Sequence, residues 1–420
     1  MESPAFEARR GARAAESGTE QAPIVYSHGS GSNLFDVDGN RYVDLTAGFG
    51  ALVLGHAPNA ATEAARASMN ELPLALGDVY ASETKVRACE AIRALFPETG
   101  ARVMLGLSGA DATTCALKTA ALATKRPGVV AFEGAYHGLS YGPLAACGLA
   151  PAFREPFAAQ LGVPVTFAPY PANEDPESPR TSHDRLDESL SAVRAALKSG
   201  QVGAVLVEPL LGRGGCVVPP TTFLAALRSM CDETGALLVL DEVWTGMGRS
   251  GAMLACDQVG VVPDLVCLAK GLGGGVPISA CIGRARVMEA WAAHGGSAIH
   301  TGTHFGSPPA CAAALATIEA VQGAGLAARA EQVGARFIEE LTAAAAGAWT
   351  VRGRGLMIGV KLPNGARALA ASRALLQRGY VVLTGGVRGD VITLTPPLTI
   401  EAELLSAFTQ ELRDVVSLLH

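Results

Sequence analysis

GALLVLDEVWTGMGRSGAMLACDQVGVVPDLVCLAKGLGGGVPISA, residues 235 to 280, decides the fold because two apolar runs within it stop at a charge. Ala236 to Leu240 is short, continuous and apolar, the pattern of a strand buried on both faces, and it ends at Asp241-Glu242. Val261 to Ala269 repeats the pattern and ends at Lys270. In a doubly wound parallel sheet the carboxyl ends of the strands border the ligand crevice, so Asp241 and Lys270 are expected to face one site. Gly271 to Gly275 then lets the backbone approach whatever lies there.

One lysine and one aspartate in this arrangement suit pyridoxal phosphate chemistry. Lysine forms a Schiff base with the cofactor aldehyde, and aspartate keeps the pyridine nitrogen protonated so that the ring withdraws electrons. Either residue alone is ordinary, since acidic helix caps and solvated lysines are common. The two together, followed by the glycine run, point to the cofactor.

The 420 residues allow two or three domains with a large core. Hydrophobic residues make up 49% and charged residues only 17%, which suits a large enzyme with extensive buried surface, a subunit interface included. A net charge of -6 leaves no basic footprint for nucleic acid, and no basic amphipathic segment suggests a membrane. No apolar run reaches transmembrane length and the alanine-rich start lacks a signal-peptide core, so a cytoplasmic location is expected. The nine cysteines are scattered singly without a CxxC pair, which argues against zinc and a disulfide framework; no metal is expected.

Outward from the opening stretch, residues 1 to about 22 read as a mobile arm or short helix. Leu34 to Leu45 alternates around Asp38-Gly39-Asn40, a hairpin signal. The glycines of TAGFGALVLGHAPN do not complete a dinucleotide fingerprint, and Lys270 lacks the P-loop context. Arg102 to Leu107 reads as a strand that leads through Ser108-Gly109-Ala110-Asp111 into a helix. Its first amides can bind phosphate, although taken alone an ordinary N-cap more often explains Ser108 or Asp111. Val129 to Phe132 is a buried strand ending in EGAYHG, where Tyr136, with His137 beside it, can stack on a flat ring. Pro151 to His183 reads as a long surface excursion. The strand Ala204 to Val207 ends at Glu208-Pro209, a third charge at a strand's end. An alanine-rich helix from Ala310 is read as continuing over Gln322 to Ala346, Val381 to Leu383 as one strand, and the C-terminal alternation as a smaller α+β domain.

With these residues assembled, the chain resembles the class III, ornithine and 4-aminobutyrate type, pyridoxal-phosphate aminotransferases of fold type I. The resemblance runs from FDVDGNRYVDL (35–45) through LSGADA (107–112), AFEGAYHG (131–138), VEPLLGRGG (207–215), DEVWTGMGRSG (241–251), LAKGLGGGVPISA (268–280) and HTGTHFGSPPAC (300–311) to TPPL. It implies an α/β, aspartate aminotransferase-like fold, a large domain with a mostly parallel sheet flanked by helices plus a smaller α+β domain. The division expected is 1–60 as arm and hairpin packing with the small domain, 61–315 as the cofactor-binding domain, and 316–420 as the small domain. Carried over by position, Lys270 is the Schiff-base lysine and proton shuttle, Asp241 pairs with the pyridine nitrogen, Val243 packs under the ring and Tyr136 stacks above it. Ser108, Gly109 and Ala110 bind phosphate, Thr303 reaches it from the partner subunit of a homodimer with shared sites, and His137, Glu208 and Trp244 complete the cofactor's surroundings. The reaction implied moves an amino group from an amine or amino acid to a keto acid or aldehyde. A racemase or aminomutase would use the same Schiff base and return the proton to Cα; a non-catalytic regulator would need a further domain, for which the short arm leaves no room.

Two positions depart from the family. Thr393 stands where an arginine usually holds the acceptor's α-carboxylate, so Glu208 is expected to lack its usual arginine partner; a hydroxyl cannot make the bidentate contact. Trp244 stands where a smaller polar residue is common. Either Arg213 or Arg388 takes the carboxylate, or the usual 2-oxoglutarate/glutamate pair is not preferred; the second is the expectation here. Introducing Thr393→Arg is then expected to raise turnover with glutamate, and equal or lower turnover in the variant would count against this reading.

Overall fold

The structure is a computed structural model that describes residues 24–57, 59–77, 79–173, 180–294 and 298–419. The arm expected over 1–22 lies outside the described residues, as do residues 174–179 of the expected surface excursion. The strands, in chain order, are β1 (Tyr26–Ser30), β2 (Asn33–Asp36), β3 (Arg41–Asp44), β4 (Arg102–Gly106), β5 (Gly128–Phe132), β6 (Val165–Ala168), β7 (Val202–Val207), β8 (Leu237–Asp241), β9 (Leu265–Leu268), β10 (Ser279–Gly283), β11 (Thr350–Arg354), β12 (Met357–Lys361), β13 (Tyr380–Val381), β14 (Leu383–Gly385) and β15 (Val391–Leu394).

Seven of them form a sheet in the order β4-β10-β9-β8-β7-β5-β6. The pairs β9-β8, β8-β7, β7-β5 and β5-β6 are parallel, and β10 alone runs antiparallel to both of its neighbours. Alternate residues explain why the central strands read as unbroken apolar runs. Val205 and Val207, Leu238 and Leu240, Val266 and Leu268 join the core on one face. Ala204 and Leu206, Leu237 and Val239, Leu265 and Cys267 join the core on the other. Helices cover both faces, so each strand residue is buried whichever way it points.

The structure departs from the sequence expectations at three elements. Within the presumed excursion, Val165–Ala168 forms the edge strand β6; four residues between Pro164 and Pro169 are too few to show a period. The helix expected to continue from Ala310 to Ala346 is two helices, Pro308–Gly323 and Leu326–Ala344, bent by 62° where Gly325 takes a left-handed φ of +60°. The expected strand at Val381 to Leu383 is divided: β13 pairs with β3, while β14 pairs with β15 in a different sheet. The N-terminal hairpin is thereby joined to the C-terminal segment, and Val43, Leu45 and Val53 pack with the apolar faces of helices Leu326–Ala344, Gly365–Gln377 and Ala402–Ser417. No single described helix is long and apolar enough to cross a membrane.

Two buried ionisable side chains organise the segment after β8, one folding it on itself and the other tying it to the rest of the molecule. Glu242, wholly buried, accepts from the amides of Ala255 and Cys256 at 2.9 Å each and from the Thr245 hydroxyl. Arg249, 1% exposed, donates to the carbonyls of Leu356 (3.0 Å) and Pro396, which lashes the large sheet to the C-terminal sheet. Burial without a carboxylate partner pulls its guanidinium down to about 9. The Glu242→Ala protein is expected to unfold at lower denaturant, with a loss of about 3 kcal/mol from the stranded amides. A denaturation midpoint equal to wild type would mean that the amides find other acceptors.

Candidate active site

Three strand ends converge on one cavity of about 410 Å³, where Glu208 follows β7, Asp241 closes β8 and Lys270 lies two residues beyond β9. The helix Gly109–Thr124 begins at the same cavity, and Tyr136 and His137 enter it from the loop after β5. Parallel strands side by side put their carboxyl ends on one edge, which is why residues far apart in the chain meet here.

Asp241 is 4% exposed and each of its oxygens has a partner. Oδ1 accepts from the Val243 amide at 3.0 Å, and Oδ2 lies 2.7 Å from His137 Nδ1. An ionised carboxylate only accepts, so Nδ1 carries the proton. Burial works against the charged imidazole, but the hydrogen bond and charge of Asp241, helped by Glu208, outweigh it and raise the His137 pKa above its ordinary value. His137 Nε2 is buried without a partner.

Glu208 accepts from the Tyr136 amide at 2.8 Å and the Gly212 amide at 2.9 Å, so backbone donors rather than an arginine satisfy it. Burial pushes its carboxyl up to about 7. Lys270 has a left-handed φ of +37° and its Nζ lies 4.4 Å from the centroid of the Trp244 ring. Burial pulls its ammonium down to about 8; Asp241 and Glu208 oppose the change and Arg213 adds to it.

Ser108 caps the helix by a reciprocal box with Asp111, whose Oδ2 accepts from the Ser108 amide at 3.0 Å and the hydroxyl at 2.9 Å. The amides of Gly109 and Ala110, first in the helix, have no intrahelical acceptor and border the cavity. A Cβ on Gly109 would lie 2.8 Å from Val243 Cγ1, so this glycine lets the helix start and the end of β8 touch. Trp244, 8% exposed, is a wall wedged between Gly50 and Gly212, where added Cβ atoms would come within 2.3 Å of the indole. Its Nε1 has no partner.

Of the sequence-named residues, Ser108, Gly109, Ala110, Tyr136, His137, Glu208, Asp241, Val243, Trp244 and Lys270 therefore line one cavity, while Thr303 does not. Thr303 is exposed on the segment before helix Pro308–Gly323. Thr393 is 3% exposed in β15 with its hydroxyl unpartnered, also away from the lining. Leu139 and the run Val276 to Ile278 line the cavity without having been singled out. Leu139 adjoins AFEGAYHG and 276–278 lies near the end of the opening stretch, but an apolar lining residue has no signature of its own.

The donor set fits pyridoxal phosphate: an amine for the aldehyde, a carboxylate for the pyridine nitrogen, free helix-start amides for phosphate, and two unpartnered buried ring nitrogens, His137 Nε2 and Trp244 Nε1.

Comparison with known proteins agrees with this chemistry. The family model described as aminotransferase class-III matches residues 14–416. An acetylornithine aminotransferase of Methanopyrus kandleri is 37% identical over 394 residues, 94% of each chain. A 4-aminobutyrate aminotransferase of Mycobacterium leprae is 34% identical over 404 residues, 91% of this chain and 89% of its own. Among solved structures, a PLP-bound amine transaminase from an uncultivated Pseudomonas species superposes with a TM-score of 0.88 at 29% identity, over 96% of this chain and 97% of that one. The chain thus belongs to the class III aminotransferases, pyridoxal-phosphate-dependent enzymes of fold type I.

Proposed function

We propose that Lys270 is the residue that binds pyridoxal phosphate covalently and moves the substrate proton, in the transfer of an amino group from a primary amine or amino acid to a keto acid or aldehyde. The observation that carries this reading is a lysine amine and the His137-braced Asp241 carboxylate facing one cavity, the carboxylate shielded from solvent. When bound, the cofactor supplies an aldehyde that condenses with amines and a pyridinium ring that withdraws electrons from the substrate's Cα.

The chain's own residues do the rest. Asp241 holds a proton at the ring nitrogen, and His137 fixes the carboxylate so that it does not turn away. Lys270, near its pKa at mildly alkaline pH, takes the proton from Cα as a free amine and delivers it to C4′ as an ammonium. Gly109 and Ala110 hold the phosphate through their amides, with Ser108 and Asp111 fixing the turn. Val243 and Tyr136, both in the cavity lining, would hold the ring between them, and Glu208 positions Tyr136 through its amide.

A homodimer with shared sites, in which Thr303 of each protomer completes the other's phosphate contacts, accords with an exposed apolar run. Leu76, Val79 and Tyr80 are 69%, 69% and 72% exposed, a surface that a second copy would cover. Residues 61–315 are assigned to the cofactor-binding domain and the hairpin to the small domain, supported by the β3-β13 pair. A cytoplasmic location suits nine free thiols.

Incubation of the holoenzyme with an amine donor alone is expected to convert the bound cofactor to its amine form, followed as loss of the cofactor's absorbance, and Lys270→Ala is expected to abolish that change. Solvent deuterium entering Cα with the cofactor unchanged would favour the racemase reading. The lysine can also be read without turnover. Because its proton affinity is depressed, Lys270 is mostly charged below pH 8 and mostly neutral above, so amine-selective labelling of the cofactor-free protein is expected to rise with pH with its midpoint at about 8. A labelling midpoint in the ordinary lysine range would refute the free-amine role.

A further inference from the structure

Within the cavity, the charged lining residues are Glu208, Asp241 and Lys270. Both carboxylates already have partners, and the lysine is reserved for the chemistry. A substrate that carries a carboxylate finds no guanidinium in this lining, and its charge would meet two buried acids. An anionic substrate therefore needs a cation at the mouth of the cavity, close enough to offset them.

Arg213 stands at that place. The Gly212 amide before it is bound by Glu208, and its own carbonyl accepts from the Gly386 amide at 2.9 Å, so the turn is clamped between the cavity floor and the C-terminal sheet. Its guanidinium lies 4.7 Å from the centroid of the Tyr136 ring. The side chain is solvent-exposed and has no ion pair with a carboxylate among the described residues. A guanidinium held over an aromatic ring by this attraction spends no N–H group on a carboxylate and keeps its donors for a pair of oxygens. The charge also reaches Lys270, whose ammonium it helps to depress.

Thr393 adjoins the same turn. A Cβ on Gly385 would lie 2.6 Å from Thr393 Oγ1 and 3.6 Å from the Arg213 carbonyl, so one glycine separates strand β15 from the turn. The threonine hydroxyl is buried and too short to grip a carboxylate. Arg388 is committed elsewhere, with its guanidinium 3.1 Å from Asp390 beside a second cavity.

We propose that Arg213, reaching in from the 212–215 turn, is the specificity-determining residue that holds the carboxylate of the substrate at the mouth of the cavity. The substrate class is then a carboxylate-bearing amine or keto acid, gripped from the turn rather than from β15. This proposal rests on the aminotransferase reading of the same cavity.

The test uses holoenzyme and paired donors, 4-aminobutyrate with 1-propylamine and alanine with ethylamine, with single-turnover loss of the bound cofactor's absorbance as the readout. Wild type is expected to prefer the carboxylated member of at least one pair. In Arg213→Met the ratio of kcat/KM, carboxylated over uncharged, is expected to fall by about 10- to 100-fold, the worth of a charge-assisted hydrogen bond, with the change mainly in KM. Arg213→Lys is expected to recover part of the ratio, as a point charge without the fork. A wild-type enzyme without such a preference overturns the proposal, and so does an Arg213→Met ratio equal to wild type, whether both rates fall together or neither does. No absorbance change with any donor in wild type would overturn the cofactor-site reading along with it, a result distinct from both.

Discussion

Holding an ionised carboxylate where solvent barely reaches is the constraint on which the rest of the site depends. Asp241 is kept in place by the Val243 amide and His137 Nδ1, one partner for each oxygen. An unpaired buried carboxylate would neutralise itself by taking up a proton, and a neutral acid could not keep a ring nitrogen protonated. The imidazole on the neighbouring loop is thus part of the role proposed for the acid. Its raised proton affinity is the other side of the same bond.

The neighbouring charges follow the same logic with different outcomes. Glu208 is buried as deeply but receives only backbone donors, and burial prevails, moving its carboxyl toward neutrality. Lys270 shares the cavity with both acids, yet burial still lowers its ammonium. A lysine that gives up its proton near neutral pH can act in turn as nucleophile, base and acid, which an exposed lysine cannot do under the same conditions. Its left-handed backbone and the glycines after it show how tightly the chain turns to deliver the amine.

Space is organised as strictly as charge. The Trp244 indole has room only because Gly50 and Gly212 lack side chains, and Gly109 performs the same service for Val243. These glycines come from the segment after the N-terminal hairpin, the turn after β7 and the first helix of the sheet region. The cavity wall is therefore assembled from three separate parts of the chain. Buried Glu242 folds the segment after β8 on itself, and buried Arg249 fastens that segment to the C-terminal sheet.

Much of this was legible in the sequence, for a physical reason. Strands buried on both faces must be continuously apolar, so a charge at their end stands out, and Asp241, Lys270 and Glu208 were found that way. Short spacings named Ser108 to Ala110, Tyr136 and His137. Periodicity could not reveal β6, four residues between prolines, nor the change of sheet at Val382, because a strand's partners are not written in its own residues. Sequence likewise marked Thr393 as a missing arginine and set Arg213 or Arg388 against a changed substrate pair, a choice that local pattern does not decide. By itself, then, the sequence determined the fold class, the cofactor chemistry and the residues at the strand ends, all of which depend on local pattern. Only the tertiary structure decided that Asp241 leans on His137, that Glu208 is met by amides, that Thr303 lies outside this chain's cavity and that Arg213 stacks on Tyr136. Those contacts join residues tens to hundreds of positions apart, and their energies depend on distance and burial, which no stretch of sequence specifies alone.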